Sequence, residues 1–408
     1  MKIFTNRKFR RISRIKSVLL FGIGFLFFLC FIRSTLAVVH IEVLNKDPKP
    51  STEQSDDRIV ISGRLIADYR TEEGGLAAVE DKFGKIHVIR AEEILKFSED
   101  NLAFAPESRK AMETELLREF GEGFRAWSSD HFIFIYNTSD GYVRWNGKLF
   151  ESLYDAFERY QARKGLNLKS PDVPMIVILF ASKKEFLDFA QKDAPGASNI
   201  VAYYHRLNNR TVLYDLSEVE SEIPEKKKSS RSFQKVDAIL SRPQAAFNVA
   251  TIVHEATHQI SFNRGMFLRP GPFSLWLSEG VSMYFEVPDS NSSRGWSHRG
   301  VSDKPNFYRL KIFRNSRAAH IREPIQNLIK EIDYMKDVQY SYAASWALFF
   351  FLNEKAPKKL VKYMEFLNKK PPFTVYSPEE RLADFEKFFG NDWNGFYRNF
   401  DRFFQNLR

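Results

Sequence analysis

The period with which apolar and polar residues alternate changes several times along the chain, and each change marks an element. Arg58 to about Phe97 has the pattern of a small β unit. RIVISGRLIADY alternates with period two around Gly63, and Gly74-Gly75 offers a turn. LAAVED follows, then a second turn at Phe83-Gly84 and KIHVIR. From Asn101 the period lengthens. ESRKAMETELLREF is helical, HFIFIYN (131–137) is a strand, and Trp145 to about Lys164 sets Leu149, Leu153, Phe157 and Tyr160 on one helical stripe. VPMIVILFA (173–181) is an unbroken apolar run, the mark of a buried strand, and KKEFLDFAQK is a short helix. NIVAYYHRL and RTVLYDL are two further strand candidates flanking Asn208-Asn209, a hairpin-like turn.

A charged stretch from Glu218 to about Lys235 then breaks the pattern. Glu218, Glu220, Glu222 and Glu225 offset its lysines, so a solvated loop is expected. After Gln244 the chain is wholly helical in pattern. It ends with Trp393, Phe396, Tyr397, Phe400, Phe403 and Phe404 at helical spacing, a stripe expected to be core. The fold class predicted is α+β: a small β unit, a mixed β-sheet subdomain with helices, then a helical subdomain. The expected divisions are 1–40, an export signal or anchor; 41–57, a polar, Pro-containing linker; and 58–98, the small β domain, whose job is packing or docking. An α/β subdomain over 100–218, a charged insertion over 219–240 and the helical subdomain over 241–408 complete them.

The 408 residues are 44% hydrophobic and 27% charged, which excludes a disordered tail and a polytopic membrane protein. Of the net charge of +10, the eight Lys/Arg of residues 1–40, opposed by no acid, supply +8, leaving +2 for residues 41–408. A nearly neutral body argues against nucleic acid or anionic lipid as partner, although Lys226–Lys228 and Arg231 form a small basic cluster. The early positive charge instead flanks an apolar run, residues 17–32, that spans about 24 Å as a helix. Thr35-Leu36-Ala37 has the small residues of a cleavage site, and an uncleaved anchor through the membrane is the rival. Either way residues 41–408 are expected outside the cytoplasm. The single cysteine, Cys30, lies within the run, so the body has no disulfide and no disulfide-linked partner is expected.

The informative stretch is 248–286. It contains His254-Glu255-Ala256-Thr257-His258, an H-E-x-x-H. Ser241 and Pro243 suit a helix start, Val249, Ile252, Val253, Ala256 and Ile260 can bury one side, and Gly265 can end the helix. Four residues turn about 400°, so the two imidazoles lie one above the other and can share one metal ion. Glu255 sits about 100° round, placed for a general base. A chance match is expected roughly once in a hundred chains of this histidine content, so the surroundings must carry weight. Tetrahedral zinc needs a third protein ligand and an open fourth position. Glu279, in Trp276-Leu277-Ser278-Glu279-Gly280, can complete a His₂Glu site if Leu275 to Val287 returns as a second helix after the Gly265–Pro272 loop.

H-E-x-x-H followed by W-L-x-E-G resembles the gluzincin metallopeptidases, the thermolysin-like clan. More narrowly, the chain resembles a bacterial family of exported, poorly characterised gluzincin-like proteins. The likeness covers about residues 100–360, with its specific part at 250–286. It implies one zinc ion per chain on His254, His258 and Glu279, with Glu255 catalytic and a peptide or protein as substrate. It also implies a mixed sheet ahead of the active helix whose edge strand receives the substrate backbone. Tyr340-Ser341-Tyr342-Ala343-Ala344-Ser345-Trp346 resembles the clan's downstream helix, where a Tyr or His often stabilises the oxyanion; Tyr342 is the first choice and Tyr340 the second. Two departures stand out. The clan's type member has an Asp four residues past the third ligand, orienting a histidine, whereas this chain has Met283. The G-x-M-E-N signature of clan aminopeptidases is absent. His131, His205, His298 and His320 lack ligand spacing. A rival of another class is a non-catalytic, zinc-stabilised binding protein outside the cytoplasm; an intact Glu255 counts against it.

Overall fold

The computed structural model describes residues 37–44, 58–71, 74–194, 200–218, 231–287, 305–317 and 325–407. Its architecture is α+β. The first sheet holds β1 (Ala37–Leu44), β2 (Arg58–Asp68), β3 (Leu76–Glu80), β4 (Ile86–Arg90) and β5 (Ile94–Ala103), in the antiparallel order β4-β3-β2-β1-β5. Val39, Ile41 and Val43 alternate inward and pack on Ala77, Val79 and Ile89. β1 corrects two expected boundaries. Its residues were divided between the export signal and the linker, yet they form the strand between β2 and β5. The alternation is only three apolar positions long, and it adjoins an apolar run that hides it. The small β domain also runs on to Ala103 instead of ending at 98.

The second sheet is built by α1 (Arg109–Phe120), β6 (Arg125–Ser128), β7 (Phe132–Tyr136), α2 (Asp140–Lys164), β8 (Met175–Phe180), α3 (Lys183–Asp193), β9 (Ala202–His205) and β10 (Arg210–Tyr214). Its order is β6-β7-β8-β10-β9. The central three strands are parallel and the two edges antiparallel. β7 and β8 are buried throughout because helices cover both faces. Ile133, Ile135, Ile176 and Ile178 meet α1 and α3, while Phe132, Phe134, Val177 and Leu179 join the large core on the other side. α2 starts five residues earlier than its apolar stripe because Ser139 caps it, its hydroxyl accepting from Tyr142 N–H. Asn209 takes the left-handed conformation (φ 57°) in the turn from β9 to β10.

The rest is helical: α4 (Phe233–Leu240), α5 (Ala246–Asn263), α6 (Leu275–Phe285), α7 (Phe307–Arg317), α8 (Ile325–Lys330), α9 (Val338–Lys355), α10 (Pro357–Leu367), α11 (Pro378–Phe389) and α12 (Trp393–Gln405). α4 occupies the end of the expected 219–240 loop. Its Val236 and Leu240 are buried, and Ser232 caps it. Arg231 is buried too, donating to Ser217, which removes it from the expected basic cluster; Lys226–Lys228 lie outside the described residues. Phe400 and Phe404 of α12 are core. The first sheet docks on this body through Glu80, a buried carboxylate held by Arg64 and by Arg269 of the α5–α6 loop. Among the described residues no helix is long and apolar enough to cross a membrane; residues 17–32 lie outside them.

Candidate metal centre

α5 carries His254 and His258 one turn apart, both under 10% exposed. A buried imidazole needs a partner for each nitrogen. His254 Nδ1 meets Glu286 Oε1 at 2.9 Å, and His258 Nδ1 meets Ser278 Oγ at 3.2 Å. With the protons on Nδ1 donated to those oxygens, both Nε2 lone pairs face one point. The two Nε2 atoms are 3.1 Å apart. Glu279 Oε2 lies 3.1 Å from that of His254, and Oε1 lies 3.4 Å from that of His258. Three donor atoms, all within 4.8 Å of one another, therefore converge as a possible metal-binding triad. A tetrahedral ion bonded at about 2.0–2.1 Å sets its donors roughly 3.3 Å apart, which these separations match.

Glu279 reaches the triad because α6 returns against α5 and lies very close to α9. A Cβ on Gly280 would stand 2.7 Å from both Ser345 O and Phe349 Cβ, so only glycine permits that approach. The helix start is fixed as well: Leu275 N–H donates to Glu331, which Arg381 holds at 2.8 Å.

The residue orienting His254 is Glu286, which caps the C-terminus of α6 seven positions beyond Glu279 and so continues the same helical face. Arg309 grips it through Nε and Nη2 (3.1 and 2.7 Å), and Asn306 Nδ2 donates to it at 2.9 Å. The i+7 spacing was the one sequence signal for it. Arg309 and Asn306 come from a later segment and had none. Met283, four residues past Glu279, is core and offers its carbonyl to Asn306.

The charges follow from this packing. Burial disfavours an imidazolium, but the hydrogen bonds of Glu279 and Glu286 and the charges of Glu279 and Glu255 outweigh it and push His254 up to about 10. Burial would raise the Glu279 carboxyl, yet His258 and His254 hold it well below the usual carboxylate range. Glu286 is likewise lowered, by Arg309 and His254 against burial. The Glu255 carboxyl, unlike those of Glu279 and Glu286, is raised, chiefly by burial, with the two histidines only partly offsetting it. Its Oε2 accepts from Tyr204 N–H at 2.9 Å, on the free edge of β9.

Tyr342 of α9 lies over His254, ring centroids 6.2 Å apart and nearly parallel, with the Arg309 guanidinium 5.9 Å from its ring. The charge of Glu279 first, and burial second, raise its phenol. Tyr340, two residues earlier and therefore round the helix, is buried and lines a small cavity with Ile325 and Leu328. Tyr334 carries no signal in the sequence: its hydroxyl meets Ser345 Oγ at 2.9 Å, and burial first, with Glu279 second, raises its phenol. A cavity of about 420 Å³ adjoins the centre, lined by Phe247, Ala250 and Thr251 of α5 and by Glu286, Tyr308 and Arg309. His131 pairs with Glu151 at 2.6 Å and His205 accepts from Asn208 N–H, both apart from the triad; His298 and His320 lie outside the described residues.

A family model described as "Protein of unknown function (DUF1570)" matches residues 248–374. That span begins within α5 and carries His254, Glu255, His258, Glu279, Glu286, Arg309 and Tyr342. No curated protein matches the chain.

Proposed function

We propose that the chain is a zinc-dependent peptidase of the gluzincin type, acting outside the cytoplasm. One observation carries the reading. Two buried imidazoles and a partly buried carboxylate converge at the spacing of a tetrahedral ion, with a carboxylic group of raised pKa on the residue after His254. His254, His258 and Glu279 would hold the ion, while Glu286 and Ser278 fix the two imidazoles. Zinc in a three-ligand site supplies Lewis acidity to a water molecule and to a carbonyl oxygen.

The remaining chemistry belongs to the side chains. Glu255 takes a proton from the attacking water and passes it to the leaving amine, and a carboxyl raised by burial holds that proton more readily. Tyr204 N–H holds that carboxylate in one orientation at the margin of β9. The same free edge can lay an extended peptide alongside the centre by strand addition. Tyr342, its phenol kept protonated by Glu279 and by burial, donates to the developing oxyanion. The adjoining cavity beside α5 can take an apolar side chain of the peptide. Export rests on residues 1–40.

Glu255→Ala tests the reading. Turnover of a peptide substrate should fall by about 10²–10⁴-fold with bound zinc unchanged. Full activity in that variant contradicts the mechanism. Zinc retained beside a wild type that hydrolyses no peptide favours the zinc-stabilised binding protein instead.

A further inference from the structure

β9 ends at His205, and the next residue, Arg206, projects over two aromatic rings. Its guanidinium lies 4.2 Å from the ring centre of Phe273 and 5.9 Å from that of Phe262. Phe262 is one helical turn past His258 on α5, so the cation lies beside the proposed cleft. Among the described residues no carboxylate faces Arg206, and its Nη1 is buried without a hydrogen-bond partner. Its neighbour Arg269 is different, being tied to Glu80 and to the carbonyl of Gly84. Burial without a counter-charge lowers the Arg206 guanidinium, the reverse of Arg64, Arg70 and Arg309, which have carboxylate partners. A desolvated N–H donor of a charged group with nothing to bind is costly unless something arrives to pair with it.

We infer that Arg206 recognises a carboxylate of the substrate. This deepens the peptidase reading and rests on it. Tyr204 N–H marks where β9 passes Glu255, and Arg206 is two residues further on, about 7 Å along an extended chain. A peptide laid along this edge advances at the same rate, so the recognised acid is about two residues from the bond broken. It is either the C-terminal carboxylate or an Asp or Glu side chain. A planar guanidinium matches a carboxylate bidentately, and the aromatic floor beneath it supports it from one side.

The test uses the zinc-loaded Glu255→Gln protein, which binds without turnover. The probes are short alanine–leucine peptides with a free or an amidated C-terminus, and internal Asp or Asn. The expected result is a preference for the acid over its amide of about ten- to hundredfold, which collapses towards one in Arg206→Met and returns in part in Arg206→Lys. The free-terminus pair and the Asp/Asn pair separate the two sources of the acid. No preference, or one that survives Arg206→Met, overturns the inference. Because each comparison is made within one variant, any loss of stability cancels. A wild type that cleaves nothing yet shows the Arg206-dependent preference removes the peptidase reading alone. Cleavage indifferent to the acid removes this inference alone.

Discussion

Two imidazole nitrogens 3.1 Å apart, on side chains under 10% exposed, need something positive between them, a proton or a metal ion. Without metal the proton goes to His254, clamped between Glu279 and Glu286. The sign of the pH dependence follows. The folded value of His254 is raised to about 10 from 6.5, so its stabilisation of the metal-free protein is full below 6.5 and lost as pH rises through 10. Glu279 is depressed, so its share is present above the ordinary carboxylate range and lost as pH falls below it. Metal must displace that proton. Calorimetry in buffers of different ionisation heat should show proton release on zinc binding, with affinity rising up to about tenfold per pH unit between pH 6 and 8. Affinity that is flat over that range would place the proton elsewhere. Glu286 belongs to the same balance: Glu286→Gln removes the charge behind His254 and should weaken zinc binding by about 10–100-fold while the triad remains. The histidines and Glu279 were legible in the sequence because one helical turn and one short loop set their spacing. Ser278, Arg309 and Asn306 were not, since their roles depend on how α6, α7 and α5 pack.

Among elements, α6 decides whether there is a centre at all. Trp276, Leu277, Val281 and Phe285 bury it, and Gly280 lets it approach α9 closely enough to aim Glu279 at α5. Gly280→Ala places a methyl against Ser345 O and Phe349, and it should cost about 1–3 kcal/mol in chemical denaturation while also lowering zinc affinity. A loss of stability with zinc affinity intact would show that α6 can shift without moving its carboxylate. α5 and α6 were legible from their apolar positions and turn residues, whereas the α9 segment was singled out only through the resemblance. β1, β6 and α4 were not: RAWS is four residues long, β1 is three apolar positions beside a stronger signal, and α4 follows a charged run that drowned its two-turn pattern. β9 was legible as a strand. That it is the edge strand and touches Glu255 was not, because sheet order is a property of the whole chain; the resemblance implied only that some edge strand lies beside the active helix.

At the scale of the molecule, two layers converge on α5. The mixed sheet delivers β9 to Glu255 from one side, and the helical unit delivers Glu279, Glu286 and Tyr342 from the other. The first sheet is attached near the same place, with Glu80 gripped by Arg269 and Ile86 N–H donating to the carbonyl of Leu207, just past Arg206. Any shortened chain must keep Ala37–Leu44, because β1 is the strand that joins β2 to β5. The α+β class and the order of sheet before helices were legible from period alone. The attachment of the first sheet was not, since a buried Glu80 between two arginines looks like any charged residue in sequence. The central claim is that His254, His258 and Glu279 together hold one metal ion. It is tested most directly by elemental analysis of the purified full-length protein, offered zinc and dialysed, beside His258→Ala. One zinc per chain in the wild type, and its loss from a variant that remains folded, is the predicted result. A folded wild type without metal, or a variant that keeps its zinc, would contradict it.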